Sequence, residues 1–224
     1  MKADRRIAHP TFLIVLALTI TLAACHKNAP DDPSDAPLPR AVPAATDSTD
    51  PQDKGDPDVT DESLYLLDAV WSDQSAQPMQ LASLRGKPVV LSMIFTSCGW
   101  ACPTIVQDMK KIAGRLPENL QDKLRYVLVS MDPERDTPDV LAGYARTHHL
   151  DEGRWTLLRG ESTDVRQLAA LLGIRYRKES NGQFAHTNMI TILDEEGEVL
   201  HVHRGLKSDP TDTVDKLQNL LAGN

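Results

Sequence analysis

The chain has 224 residues, 41% of them hydrophobic and 25% charged, with three cysteines and a formal net charge of −8. Such a length suits one folded domain with appendages. The acidic balance leaves no basic stripe to neutralise phosphates, which excludes nucleic acid as a partner, and it gains little from anionic headgroups, so membrane attachment would have to come from a lipid.

Lys2, Arg5 and Arg6 open the chain, and Thr11 to Ala24 follow as an uncharged, mostly apolar stretch ending in Leu22-Ala23-Ala24-Cys25. The stretch is short for a bilayer span, and its flanks read as a secretory signal with small residues at the cleavage site. It resembles a bacterial lipoprotein signal. That resemblance implies cleavage after residue 24 and a lipid on Cys25; the alternative is an uncleaved signal anchor. Either way the rest of the chain faces an oxidising extracytoplasmic space, on the periplasmic side of a membrane. Three cysteines would leave one odd thiol there, and lipidation of Cys25 leaves the pair Cys98 and Cys102.

Residues 25–62 read as a tether. From His26 to Glu62 the chain holds seven of its fifteen prolines, and from Asp31 to Glu62 ten acidic residues stand against Arg40 and Lys54. Such a segment has too little apolar surface to fold and repels itself, so it is expected to be extended and disordered.

Residues 63–224 are then one domain. A strand is expected at Tyr65–Trp71 and a short one around Gln80-Leu81, joined by a turn at Ser72-Asp73-Gln74. Pro88–Phe95 is an apolar, β-branched run that reads as a buried strand, and apolar residues at helical spacing follow from Thr104 to Leu116. Leu124–Met131 is a second central strand. Thr137 caps a helix to about His148 with Pro138 at its first position. Trp155–Leu158 is a short strand, and a helix runs from Ser162 to a stop at Gly173. Thr187–Leu193 and Glu198–His203 flank Asp194-Glu195-Glu196-Gly197 as a hairpin, and Asp209 or Thr211 caps a last helix ending before Gly223. This order predicts an α/β, thioredoxin-like fold: a mixed central sheet flanked by helices, with an added N-terminal hairpin.

Cys98-Gly99-Trp100-Ala101-Cys102-Pro103 lies between the first central strand and its helix. With Pro103 at a first helical position, backbone N–H groups and the positive helix end would face the sulfurs and favour thiolate. Three intervening residues place the thiols about one turn apart, where they either share a small ion or close a disulfide.

Three blocks carry a family likeness: Phe95-Thr96-Ser97-Cys98 through Cys102-Pro103; Val129-Ser130-Met131-Asp132-Pro133-Glu134-Arg135-Asp136-Thr137-Pro138; and His186-Thr187 before a strand and an Asp-Glu-Glu-Gly turn. In order and spacing they resemble the Sco/SenC family of thioredoxin-fold copper proteins over nearly all of residues 63–224. The resemblance implies copper bound by Cys98, Cys102 and His186, and a role in maturing the dinuclear copper centre of cytochrome c oxidase. It also implies as partners the copper-bearing oxidase subunit or another copper chaperone, and places Asp132 near the site. Gly99 departs from the family, in which many members carry proline after the first cysteine.

Two thiolates and an imidazole suit soft Cu(I), whereas a structural zinc site would want a fourth protein ligand. Asp132 is too hard for Cu(I) and would act by orienting His186 or bonding near the cysteines; otherwise it ends the strand with Pro133. His201 and His203 share a strand face and read as a surface edge strand, with a secondary metal site as the alternative. His148 and His149 close a helix, where imidazolium suits the dipole. Met79, Met93, Met109, Met131 and Met189 read as core filling. Two functions remain, a metallochaperone and a thiol-disulfide reductase. The chain has no proline between Pro138 and Pro210 to supply the cis-proline that thioredoxin-type reductases place opposite the cysteines, and this favours the first.

Overall fold

The computed structural model describes residues 60–223. The signal segment, Cys25 and all but the last three residues of the tether lie outside them. The strands are β1 (Trp71–Asp73), β2 (Pro78–Met79), β3 (Val89–Ile94), β4 (Arg125–Ser130), β5 (Trp155–Arg159), β6 (Tyr176–Lys178), β7 (Phe184–His186), β8 (Met189–Leu193) and β9 (Val199–Arg204). The helices are α1 (Ala101–Arg115), α2 (Glu118–Gln121), α3 (Pro138–Thr147), α4 (Ser162–Leu171) and α5 (Thr211–Leu221), with short 3-10 turns at Leu64–Leu66 and Leu81–Leu84.

Every residue of β3 is buried, as its largely apolar run requires; the one polar member, Ser92, donates to Met189 O at 2.7 Å, and the strand lies inside the sheet between β4 and β8. The order is β2-β1-β5-β4-β3-β8-β9; β3 runs parallel to β4 and antiparallel to β8, and β4 runs parallel to β5. Two strand–helix–strand units and a closing hairpin and helix give the expected thioredoxin-like fold, with β1 and β2 as the added hairpin. Trp71, Phe95, Ile105, Met109, Leu128 and Leu157 are among its fully buried residues. The five methionines of the domain line or fill this core, as their apolar surroundings suggest.

Three local readings change. Tyr65–Trp71 is not a strand; pairing begins only at Trp71, opposite Met79 of β2, with Ser72 and Asp73 opposite β5. Ser63 accepts the Tyr65 N–H at 3.1 Å and donates to Glu196 O, and Leu64 N–H bonds Gly197 O, so this segment winds into a turn against the β8–β9 hairpin. Gly197, at φ +89°, has no room for a Cβ, which would sit 2.5 Å from the Tyr65 ring. The strand placed at Gln80-Leu81 lies two residues earlier, because Asp73 Oδ1 accepts the N–H groups of Ser75 and Gln77, each at 2.8 Å, and closes a tighter turn. Helix α1 begins at Ala101, so Pro103 is its third residue; this is tolerated because the first four N–H groups of a helix have no acceptor within it.

The β6–β7 ribbon, a separate two-stranded sheet, and the short helix α2 are absent from the sequence expectation. The signal for the ribbon is Asn181-Gly182: Gly182 takes φ +78° and Asn181 Oδ1 accepts the Gln183 N–H at 2.8 Å.

Candidate metal site

The end of β3 delivers Phe95 to the site, and the chain then turns sharply, with Cys98 N–H bonded to Phe95 O. A buried carboxylate fixes this turn. Asp136 Oδ2 accepts from Thr96 N–H at 3.1 Å and from the Ser130 hydroxyl at 2.5 Å, and Oδ1 accepts from the Thr96 hydroxyl at 2.5 Å. Asp136 lies within a quoted block but was not singled out in sequence; the polar pair Thr96-Ser97 breaking an apolar strand was its signal. Asp136→Ala leaves three donors without this acceptor, the buried Ser130 hydroxyl and the partly buried N–H and hydroxyl of Thr96. We expect it to remove about 3 kcal/mol of stability, each bond to a charged acceptor contributing about 1.5–3 kcal/mol with partial relaxation. A fall of the melting temperature by on the order of 10 °C reads this out; an unchanged urea midpoint would refute it.

The two cysteines meet at the start of α1. Cys102 N–H donates to Cys98 Sγ at 3.3 Å, so a sulfur occupies the place of a helix cap. Cys102 Sγ accepts the Phe95 N–H at 3.5 Å and is fully buried, while Cys98 is half-buried. Burial drives the Cys102 thiol far up, and the Phe95 N–H offsets only part of this. The expected thiolate at Cys102 is therefore not the resting state: desolvation outweighs the helix end. A cation arriving at the sulfur would displace its proton.

His186 closes β7 and pairs with Tyr176 on β6. Its ring packs edge-on to Phe95, with centroids 5.9 Å apart. Nδ1 is 3.3 Å from Thr187 O, and burial lowers the imidazole below its usual range. A carbonyl only accepts, so the neutral ring carries its proton on Nδ1 and presents the Nε2 lone pair. That Nε2 is 3.9 Å from Cys102 Sγ. The structure thus brings Cys98 to Cys102 and Cys102 to His186. Among the described residues no three His, Cys, Asp or Glu side chains converge closely enough to hold an ion as they stand.

Asp132 sits elsewhere. It is buried and pairs with Arg135, with Lys178 Nζ 3.9 Å away, rather than with the cysteines or His186. Arg135 in turn donates to Gly182 O at 2.5 Å, and Lys178 bonds Glu134 at 3.0 Å, holding the Glu134 carboxyl below its ordinary value. The loop after β4 is thereby latched to the ribbon that carries His186.

Three further histidines among the described residues, His148, His201 and His203, are engaged away from the cysteines. His203 is buried, not on the surface as expected, between Ser208 Oγ at 2.8 Å and Thr213 Oγ1 at 3.0 Å. His201 Nε2 meets Thr213 Oγ1 at 3.1 Å and lies 3.6 Å from Asp212. Helix α5 covers this edge strand and supplies Thr213 and Asp212, and the turn before it supplies Ser208. His148 caps α3 as read, but burial and then Lys110 lower its pKa, so it stands there as neutral imidazole against the Tyr144 ring.

Residues 70–222 match the SCO1/SenC family. The chain belongs to that family. It is 27% identical over 148 residues to the SCO1 protein homolog of Bacillus subtilis (strain 168), covering 64% of this chain and 76% of that protein. A SCO1/SenC family lipoprotein from Bacillus anthracis str. Ames superposes with a TM-score of 0.62 at 25% identity, over 67% of this chain and 91% of that one. Bradyrhizobium japonicum ScoI with copper bound shares the fold, with a TM-score of 0.57 at 22% identity over 68% of this chain and 96% of that one. Among the described residues of this SCO1/SenC chain no helix is long and apolar enough to cross a membrane.

Proposed function

We propose that this chain takes up one Cu(I) through Cys98, Cys102 and His186 and delivers it for assembly of the dinuclear copper centre of cytochrome c oxidase. The observation that carries this is the approach of His186 Nε2, as a free lone pair, to Cys102 Sγ at 3.9 Å. Two sulfurs and one neutral nitrogen are soft, low-coordinate donors of the kind Cu(I) prefers, and copper here is cargo rather than a resident cofactor. Half-buried Cys98 completes the set from the rim and is the natural point for a partner's ligand to enter and exchange. X-ray absorption on the reduced, copper-loaded chain tests this: two sulfurs and one nitrogen are expected around the ion, and a shell of oxygen and nitrogen alone would overturn it.

A second reading has its own support. Cys98 Sγ lies on the Cys102 N–H, a geometry that also serves a thiol pair reducing the oxidase cysteines. Against it, the chain has no proline between Pro138 and Pro210 to supply the cis-proline that a reductase places opposite its cysteines.

The anchor belongs to the same proposal: residues 1–24 are a signal peptide, a lipid on Cys25 holds the protein at the membrane, and residues 25–62 space the domain at 63–224 from it. The family relative from Bacillus anthracis described as a lipoprotein supports this. Cys25→Ser is expected to block lipidation and move the protein from the membrane to the soluble fraction, with copper binding unchanged. A mature N-terminus at Met1, read by mass spectrometry, would refute processing at Cys25.

A further inference from the structure

Trp100 breaks two local rules at once. It occupies the N-cap of α1, where a Ser, Thr, Asp or Asn would take up a free N–H, and its side chain makes no such bond. It also leaves 65% of its surface in water, the most of any large hydrophobic residue described. Its backbone is held, since Trp100 O accepts both the N–H and the hydroxyl of Thr104. The ring therefore stands at a set place two residues from Cys98. Local conflicts of this kind concentrate where function demands them.

The ring borders an open groove of about 410 Å³, lined also by Cys98, Phe95, Phe184, Ala185 and His186. A second groove of about 380 Å³, lined by Arg175, Tyr176 and Arg177, shares Ala185 and His186 with the first. Together they make one surface running past the imidazole, apolar at one end and cationic at the other. Arg175 is exposed and has no ion pair among the described residues, and Arg177, 81% exposed, reaches Glu179 only at 3.8 Å. These cations stand out on a chain of net charge −8. Val89, at the start of β3, pairs with Leu193, so the acidic Asp194-Glu195-Glu196 turn lies at the opposite end of the sheet from Cys98. The charge asymmetry orients an acidic body toward the cysteine end.

We propose that this surface docks an acidic protein that exchanges copper with the chain: its carboxylates pair with Arg175 and Arg177, an apolar contact covers Trp100, and its own soft ligands arrive at Cys98 and His186. An exposed tryptophan beside a groove is the residue type that dominates binding energy at interfaces. The proposal rests on the copper-delivery reading. Transfer is ligand exchange without electron flow: each bond from the ion to this chain is replaced by one to the partner, the ion stays Cu(I), and each of the two released cysteine thiolates takes up a proton, from an incoming thiol of the partner or, where the incoming donor carries none, from water.

The test uses the full-length, Cu(I)-loaded chain in detergent micelles and, as acceptor, the copper-free soluble domain of the copper-bearing oxidase subunit. Parent, W100A and R175E/R177E are compared for copper affinity, transfer rate and affinity for the acceptor. Copper affinity should stay within about twofold of the parent, because neither change touches a donor atom. W100A should weaken the complex about 30-fold, the loss of a tryptophan anchor. R175E/R177E should slow association about tenfold at low salt, with the difference fading at high salt. Transfer by W100A at the parental rate would overturn the proposal. So would faster air oxidation of the bound ion with an unchanged complex, which would make Trp100 a cover for the metal. Charge reversal that abolishes binding to phosphatidylglycerol vesicles but spares the complex would assign the cations to lipid and overturn it too. Should the parent take up no copper, the delivery reading alone falls, and calorimetry against the same acceptor still decides the docking surface.

Discussion

Cys102→Ser is expected to remove nearly all Cu(I) binding, a larger effect than the roughly 10–100-fold loss that follows from disturbing only the outer partners of a metal ligand. A serine hydroxyl is hard and stays protonated, so it cannot replace a thiolate toward a soft ion. Cys98→Ser should do the same from the half-buried side of the pair. The two variants differ in stability. Cys102 is fully buried, with the Phe95 N–H at 3.5 Å and His186 Nε2 no nearer than 3.9 Å, so a hydroxyl there costs about 1–3 kcal/mol, whereas Cys98 tolerates the change. Competition with a Cu(I) chelator, with circular dichroism as the folding control, separates the two losses; retention of parental affinity by either variant would remove that thiol from the site. Proton competition gives the sign of the pH dependence. Burial raises the Cys102 thiol, so binding must expel its proton, and affinity should rise with pH by about tenfold per unit for that one proton. The half-buried imidazole of His186, lowered by desolvation, is already neutral near pH 7 and adds little above it. Oxidation acts in the opposite direction to added base. Joining the two thiols as a disulfide releases two protons and two electrons to the oxidant and leaves no thiolate for the ion, so the oxidised chain should bind none.

The sequence made the central elements legible because they are strongly patterned. β3 and β4 are apolar runs too short for helices, and Thr137-Pro138 marks the start of α3 with a cap and a first-turn proline. The cysteine turn was legible for the same reason, as a break between two patterned elements. What stayed hidden depends on contacts between distant segments. Nothing local in Tyr65–Trp71 shows that its ring packs on a glycine more than 130 residues away, so an apolar run became a strand on paper. The thiolate expectation failed similarly, since a helix end is visible in sequence but the depth of the sulfur beneath the surface is not. The β6–β7 ribbon did carry a local signal, Asn181-Gly182, but its strands are only three residues each, too short for alternation to register. That ribbon aims the imidazole, and its latch to the loop after β4, through Asp132, Arg135 and Gly182, gives the long second block of the family likeness a physical purpose. Asp136 in the same loop holds the other side of the site by gripping Thr96. One seven-residue loop thus fixes both the cysteine turn and the histidine ribbon, and neither link could be read from spacing.

His186→Ala is the variant that separates the two functions, because it spares both thiols. The ring is half-buried against Phe95, and its polar ties are to the neighbouring Thr187 O and, at 3.9 Å, to Cys102 Sγ, so its removal should leave the fold intact. A chaperone loses one of three donors: Cu(I) binding should weaken by at least about 10–100-fold, with two sulfurs still holding some ion. In cells starved of copper the variant should then fail to support cytochrome c oxidase assembly, and added copper should restore part of the activity by mass action. A reductase predicts otherwise. Removing a neutral imidazole takes away neither thiol nor the bond from Cys102 N–H to Cys98 Sγ, so thiol chemistry, and with it assembly, should persist at any copper level. The comparison that decides is oxidase activity in low copper for His186→Ala beside Cys98→Ser. Failure of both, with copper rescue of the histidine variant alone, supports delivery of the ion. Full assembly with His186→Ala and none with Cys98→Ser would show that the thiols work without the metal and would make thiol reduction the function of this site.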